Sequence, residues 1–168
     1  MFDIITTGGT FDILHKGHYT LLQKAFEVGG QVIIGISSDY YASIKKKKIS
    51  NEYPIRLKNL KKFIEDKFNK SNYSIYELND FYGPTVLTKA VQALVTTEGT
   101  KENCIKINEL RKSMGMPQLE IIVVPLVEGQ DGKVISSTRI RKGEIDVNGN
   151  KLAICLFPLN TLTFNLKT

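Results

Sequence analysis

Hydrophobic and polar positions along this chain switch repeatedly between two periods, near two in short apolar runs and near 3.6 in the stretches between them. Phe2 to Thr7 is a short apolar run ending in Gly8-Gly9. From Lys16 to Val28, Leu21, Leu22, Ala25 and Phe26 recur at helical spacing, and Gly29-Gly30 is expected to supply a left-handed stop. Gln31 to Ser37 is strand-like again. Pro54 suits the first turn of a second helix, whose apolar stripe is Leu57, Leu60, Phe63, Ile64 and Phe68, with lysines opposite. Tyr73 to Leu78 alternates as a strand, Tyr82-Gly83-Pro84 punctuates, and Thr85 to Gln92 is predicted as a short helix before the strand Ala93 to Thr97. A third helix is predicted over about Asn103 to Met114, stopped by Gly115, and Leu119 to Val127 carries the strongest strand signal. Ser136-Ser137-Thr138 caps a last helix through Arg141, with Gly143 beyond it.

Strands alternating with helices require right-handed crossovers, so the pattern predicts an α/β chain of the Rossmann-like, doubly wound type. About five parallel strands carry helices on both faces. Ligands of such sheets sit beyond the carboxyl ends of the strands, where the strand order reverses. Residues 1–146 read as one domain. Residues 147–168 fit the scheme poorly: Val147 to Asn150 is a turn, and the apolar runs Leu152 to Phe157 and Leu162 to Leu166 are separated by Pro158. This tail has no readable role; a hairpin, an oligomer contact and an arm across the domain all stay open.

The 168 residues are 42% hydrophobic, enough for a buried core and too apolar for a disordered chain. Apolar runs such as Ile121 to Val127 stay far below the roughly 20 residues of a membrane helix. Met1 leads straight into strand without a basic flank or cleavage site, so a cytoplasmic protein is expected. Cys104 and Cys155 have no Cys or His neighbours at metal-ligand spacing, which argues against a disulfide framework or zinc site. The net charge is +6, and ten of the 23 Lys and Arg fall between Lys45 and Lys70. That stretch is read as a solvated helix face, with neither nucleic acid nor membrane expected as a partner.

The chain's two histidines, His15 and His18, both fall in the segment Gly8 to His18, GGTFDILHKGH. Gly8 and Gly9 let backbone approach a ligand, and two imidazoles three residues apart share one side of a first helical turn. The unpaired amides of that turn make it an anion site, to which Gly17 gives steric access. No Ser-His-Asp set, paired carboxylates or activated cysteine stands out.

The segment resembles the HxGH signature of the nucleotidyltransferase superfamily, and Ile135 to Arg141, ISSTRIR, resembles that superfamily's second motif. The resemblance implies a nucleotide held by Gly8, Gly9, Thr10, Phe11, His15, His18, Ser136, Ser137, Thr138, Arg139 and Arg141. It also implies a lysine after the second strand, ahead of an arginine on the next helix. Counting back nine residues from Arg56 lands on Lys47, with Lys45, Lys46 and Lys48 adjacent. His18, Lys47 and Thr10 are then the catalytic groups, with magnesium arriving on ATP and no metal site made by protein side chains. Asp80 with Tyr82-Gly83-Pro84-Thr85, the stretch Ala93 to Thr100, Ile107 to Arg111 and Asp131 to Asp146 are similar to the archaeal phosphopantetheine adenylyltransferases. That family joins ATP to 4′-phosphopantetheine and releases pyrophosphate. It implies acceptor contacts from Asp12, Lys47, Thr97, Glu98, Asn108 and Arg111. Cytidylyltransferases and flavin mononucleotide adenylyltransferases share the general motifs and are the alternatives, with a non-catalytic nucleotide- or nucleic-acid-binding domain further off.

Overall fold

The computed structural model describes residues 1–153. Its elements run β1 (Phe2–Gly9), α1 (Lys16–Val28), β2 (Gly29–Ser37), α2 (Asp39–Ile44), α3 (Tyr53–Phe68), β3 (Tyr73–Leu78), a 3-10 turn (Gly83–Val86) and β4 (Ala93–Thr97). A second 3-10 turn (Glu98–Thr100), α4 (Lys101–Ser113), β5 (Glu120–Val124) and α5 (Ser137–Arg141) follow. The five strands form one sheet in the order β3-β2-β1-β4-β5, and all four pairings are parallel. The doubly wound architecture is borne out. Strand order reverses between β1 and β4, so the crevice opens beyond Gly8-Gly9 and Thr96-Thr97.

Alternation along the strands builds two cores. Ile5, Val32, Ile34, Ile36, Ala93 and Val95 face one side, where they meet Leu22, Ala25 and Phe26 of α1 and Leu60 and Ile64 of α3. Ile4, Ile33 and Leu94 face the other, with Cys104 and Ile107 of α4. The lysine face of α3 is solvated, Lys58, Lys61 and Lys62 being exposed. The apolar stripe is less even than its spacing suggests, since Leu57, Phe63 and Phe68 are only partly buried.

Four local features differ from the sequence pattern. Gly29 does not stop α1 in the left-handed region; its φ is −105° and the helix passes directly into β2. Glycine is required there because a Cβ would collide with Ile5 Cγ1. Helix α2, invisible in the pattern because six residues show no repeated stripe, is nucleated by Ser38, whose hydroxyl accepts from the amide of Tyr41 at 3.0 Å. Residues 85–92 are not the predicted helix beyond the 3-10 turn. Their carbonyls instead turn inward around Arg111, which donates to Thr85 O, to Thr88 O at 3.1 Å and to Val91 O at 3.2 Å. The last strand is shorter than predicted, ending at Val124 before Pro125.

The turn at Val147 to Asn150 is present, tied by Asp146, whose Oδ1 accepts from the amides of Asn148 and Asn150 at 2.9 Å. Val147 O accepts from Lys16 N at 2.9 Å and Gly149 O from Gln130 N at 2.8 Å, so residues 147–151 pack onto the domain. The apolar runs from Leu152 and Leu162 lie mostly or wholly outside the described residues, as does Cys155. Cys104 is buried and free. Among the described residues no helix is long and apolar enough to cross a membrane.

Candidate active site

At the strand switch, the segment after β1 meets the segment leading into α5 across a cavity of about 710 Å³. A groove of about 750 Å³ runs along α3 beside the amino-terminal half of β3 and contains none of the motif residues. The place where parallel strands end, rather than size, singles out the first cavity.

His15 is the N-cap of α1. Its Nδ1 accepts from the amide of Gly17 at 3.1 Å, while Nδ1 of His18 accepts from the amide of His15 at 3.3 Å, a reciprocal capping box made of imidazoles. With both Nδ1 atoms accepting, each neutral ring carries its proton on Nε2 and is a donor there. The rings lie 3.9 Å apart between centroids, and Phe11 packs on His18 at 5.1 Å. Burial lowers His15 to about 4. Burial, with the charges of His15 and Lys47 adding to it, lowers His18 to about 3. Both are therefore neutral donors near pH 7 in the free protein.

Phe11 is fully buried and holds φ at +51°, a left-handed conformation that turns the chain sharply beneath the histidines. Arg56, also fully buried, donates from Nη1 to the carbonyl of Thr10 at 2.6 Å and from Nε to Asn51 O at 2.9 Å. Its Nη2 pairs with Asp39 at 2.7 Å. The arginine that marked the register thus acts as a brace, and it sets Thr10 facing Lys47, whose Nζ reaches Thr10 Oγ1 at 3.1 Å. Burial first, then the charge of Lys45, lowers the Lys47 ammonium from its ordinary value.

Asp12 is 4% exposed and joins three segments. Its carboxylate accepts from the amides of Ser50 and Asn51 at 2.9 Å and from Arg141 Nη2 at 2.7 Å. Burial alone would raise its pKa, but the hydrogen bonds from Ser50, Arg141 and Asn51 hold it below the usual carboxylate range. On the other wall, Ser136 Oγ caps α5 by accepting from Arg139 N at 3.3 Å, and Ser137 Oγ donates to Ile13 O at 3.1 Å.

Of the residues expected to hold nucleotide, Gly8, Gly9, Thr10, Phe11, His15 and His18 line the cavity from one side, and Ser136, Ser137, Thr138 and Arg141 from the other. Arg139 does not line it. Its guanidinium is turned back to Asp131, to Glu144 at 2.9 Å and to the carbonyls of Lys133 and Val134. Among the expected acceptor contacts, Asp12, Lys47 and Thr97 line the cavity, whereas Glu98, on the exposed turn after β4, does not. Asn108 and Arg111 are structural: Asn108 exchanges two hydrogen bonds with the backbone of Leu119, and Arg111 is wholly buried against carbonyls. Further groups line the cavity, among them Lys46 and Lys48, Thr96 and Thr100, joined through their hydroxyls at 2.6 Å, and the apolar Leu126 and Val134. The hydroxyl-rich TTEGT segment hinted at the threonines; nothing in the pattern distinguished the apolar pair. Among the described residues no three His, Cys, Asp or Glu side chains gather as a metal cradle.

A parallel sheet with an imidazole-capped helix at its switch point defines a nucleotide-handling α/β domain, and the cytidylyltransferase-like family model matches residues 6–143. The chain is 42% identical over 149 residues to a phosphopantetheine adenylyltransferase of Methanothermobacter thermautotrophicus, covering 89% of each chain. It is 39% identical to a phosphopantetheine adenylyltransferase of Methanopyrus kandleri, covering 86% of this chain and 92% of that one. A crystal structure of an Archaeoglobus fulgidus protein of unknown function is similar, with a TM-score of 0.66 and 30% identity over 73% of this chain and 89% of the other. The chain belongs to the cytidylyltransferase-like family, in its archaeal phosphopantetheine adenylyltransferase branch.

Proposed function

We propose that this chain transfers the adenylyl group of ATP to 4′-phosphopantetheine, giving dephospho-coenzyme A and pyrophosphate. The observation that carries the reading is the Thr10–Lys47 pair. It stands where the larger cavity, suited to the nucleotide, adjoins a smaller one of about 120 Å³ that Thr10 and Lys47 also line. A group at that junction touches the phosphates of both substrates at once. The near 40% identity to enzymes of that name over almost the whole chain supports the choice of acceptor.

The acceptor phosphate is an anionic nucleophile at neutral pH, so its oxygen attacks the α-phosphorus without a general base. The bond from the α-phosphorus to the bridging oxygen breaks, and pyrophosphate leaves. What the protein must supply is alignment and relief of charge. Nε2–H of His15 and His18 donates to phosphate oxygens, Lys47 neutralises the α-phosphoryl group in flight, and Thr10 holds Lys47 there. Ser136, Ser137, Thr138 and Arg141 receive the leaving end. Magnesium is the natural companion of the triphosphate and lowers its charge. Asp12, the buried carboxylate of this cleft, is already committed to Arg141 and two amides. A magnesium ion would then be held by the triphosphate's own oxygens rather than by Asp12, and would supply charge relief to the phosphates.

Pyrophosphate release from ATP or CTP, with magnesium and a panel of phosphomonoesters, tests the assignment. Turnover is expected with ATP and 4′-phosphopantetheine. Turnover with CTP and not ATP overturns it.

A further inference from the structure

Among the described residues one buried side-chain polar atom lacks a hydrogen-bond partner, the phenol oxygen of Tyr41. Tyr41 stands on α2 and is 6% exposed. A buried hydroxyl without a partner is costly, and phenylalanine would fill the same space without that cost. The charge of Asp80 reaches the phenol, but no hydrogen bond joins the two, and Asp80 Oδ1 accepts from the amides of Tyr82 at 2.8 Å and Gly83 at 2.9 Å. Burial first, and Asp80 second, push the phenol up to about 12, so it stays a protonated donor across the working pH range.

Tyr41 lines the smaller cavity, the one that adjoins the Thr10–Lys47 pair. Leu78, Phe81, Pro84 and Leu94 form the apolar part of the same space, which Thr6, Thr7 and Ser37 line with hydroxyls. The Lys45 ammonium lies 4.3 Å over the Tyr41 ring. Lys45 is exposed on a flexible stem and can swing aside as a ligand enters. An unmet donor in a partly apolar space, beyond a phosphate-binding junction, suits a flexible arm that carries a hydrogen-bond acceptor. An amide carbonyl is such an acceptor, whereas a bare alkyl chain offers none.

We infer that the Tyr41 hydroxyl donates a hydrogen bond to an amide carbonyl on the arm of the phosphate acceptor, and that Tyr41 thereby selects amide-bearing phosphomonoesters. The inference rests on the acceptor reading above, since the pantetheine arm carries amide carbonyls. It adds a specificity-determining residue that the motifs do not contain. Its energetic logic is that of a site built to pair with a substrate group and left unpaired without it.

Tyr41→Phe tests it, because the ring and its packing are kept. The KM for 4′-phosphopantetheine is expected to rise about tenfold, the worth of one hydrogen bond at a desolvated site, while the KM for ATP moves less than twofold. The melting temperature of the free variant is expected to hold or rise, since an unpaired polar atom has been removed. An unchanged KM for 4′-phosphopantetheine overturns the inference. So does a fall in melting temperature with equal changes in both KM values, which would make the hydroxyl a structural group. If the unmodified chain releases no pyrophosphate with ATP and 4′-phosphopantetheine, the acceptor reading itself has failed, an outcome distinct from a variant that behaves like its active parent.

Discussion

In the cleft wall supplied by Gly8–His18 the two histidines are held by their own neighbours, whereas in the wall supplied by Ile135–Arg141 the groups that face the cleft are held by partners far along the chain. His15 and His18 are oriented by amides two and three positions away. Arg141 is oriented by Asp12, 129 positions away, and Ser137 by Ile13, 124 positions away. The imidazole cap is a local device whose geometry follows from spacing. The second wall assigns its cations only once the fold is complete, which is why two arginines separated by one residue have opposite fates. Arg141 faces the cleft and Arg139 is locked behind it.

The sharpest way to break this contrast lies in the local wall. In His18→Asn the side-chain oxygen can take the place of Nδ1 and keep the cap, while the Nε2 donor is lost. We expect kcat to fall at least 100-fold with KM for ATP and melting temperature nearly unchanged, in line with the loss of one preorganised donor. His18→Gln should do the converse, keeping more activity and melting earlier. If the two variants lose kcat equally, the separation of capping from catalysis is wrong.

A smaller effect distinguishes the arginines of the other wall. Arg141→Lys removes a fork that joins Asp12 and Ser50, so KM for ATP is expected to rise about tenfold. Arg139→Lys should leave that KM within twofold and instead lower the urea midpoint, because Asp131 and Glu144 lose their bidentate partner. Equal effects on KM would mean that Arg139 reaches the phosphates after all.

The mildest test is acidity. The folded chain holds His15 and His18 below their ordinary value of 6.5, so below that pH the unfolded chain binds more protons than the folded one. The stability from keeping them neutral is full above pH 6.5 and is lost progressively as pH falls toward about 4. Urea titrations should show this slope, and His15→Asn with His18→Asn should flatten it between pH 6.5 and 4.5. An unchanged slope in the double variant assigns the acid sensitivity elsewhere.

Strand and helix alternation, the HxGH segment and the hydroxyl-rich start of α5 were legible because each is written in local spacing. The buried cations were not. Arg56 and Arg111 carry the same charge as the solvated lysines around them, and only partners assembled by the fold make their burial tolerable, carbonyls for both and the Asp39 carboxylate for Arg56. Arg111 also explains why residues 85–92 fail as a helix, since the carbonyls that would close its turns point at the guanidinium instead. Asn108 misled in the same way, as its segment likeness to a family says nothing of which side chains hold a strand end. Helix α2 was too short to display a period, yet it carries Tyr41.

The tie between Ile13 and Ser137, together with that between Lys16 and Val147, has a bearing on how the protein is born. A ribosome delivers the imidazoles first and the hydroxyl-rich segment more than a hundred codons later, so a nascent chain can form its early strands while it still lacks one wall of the cleft. The cleft therefore closes only after the second segment has emerged and folded back onto the first.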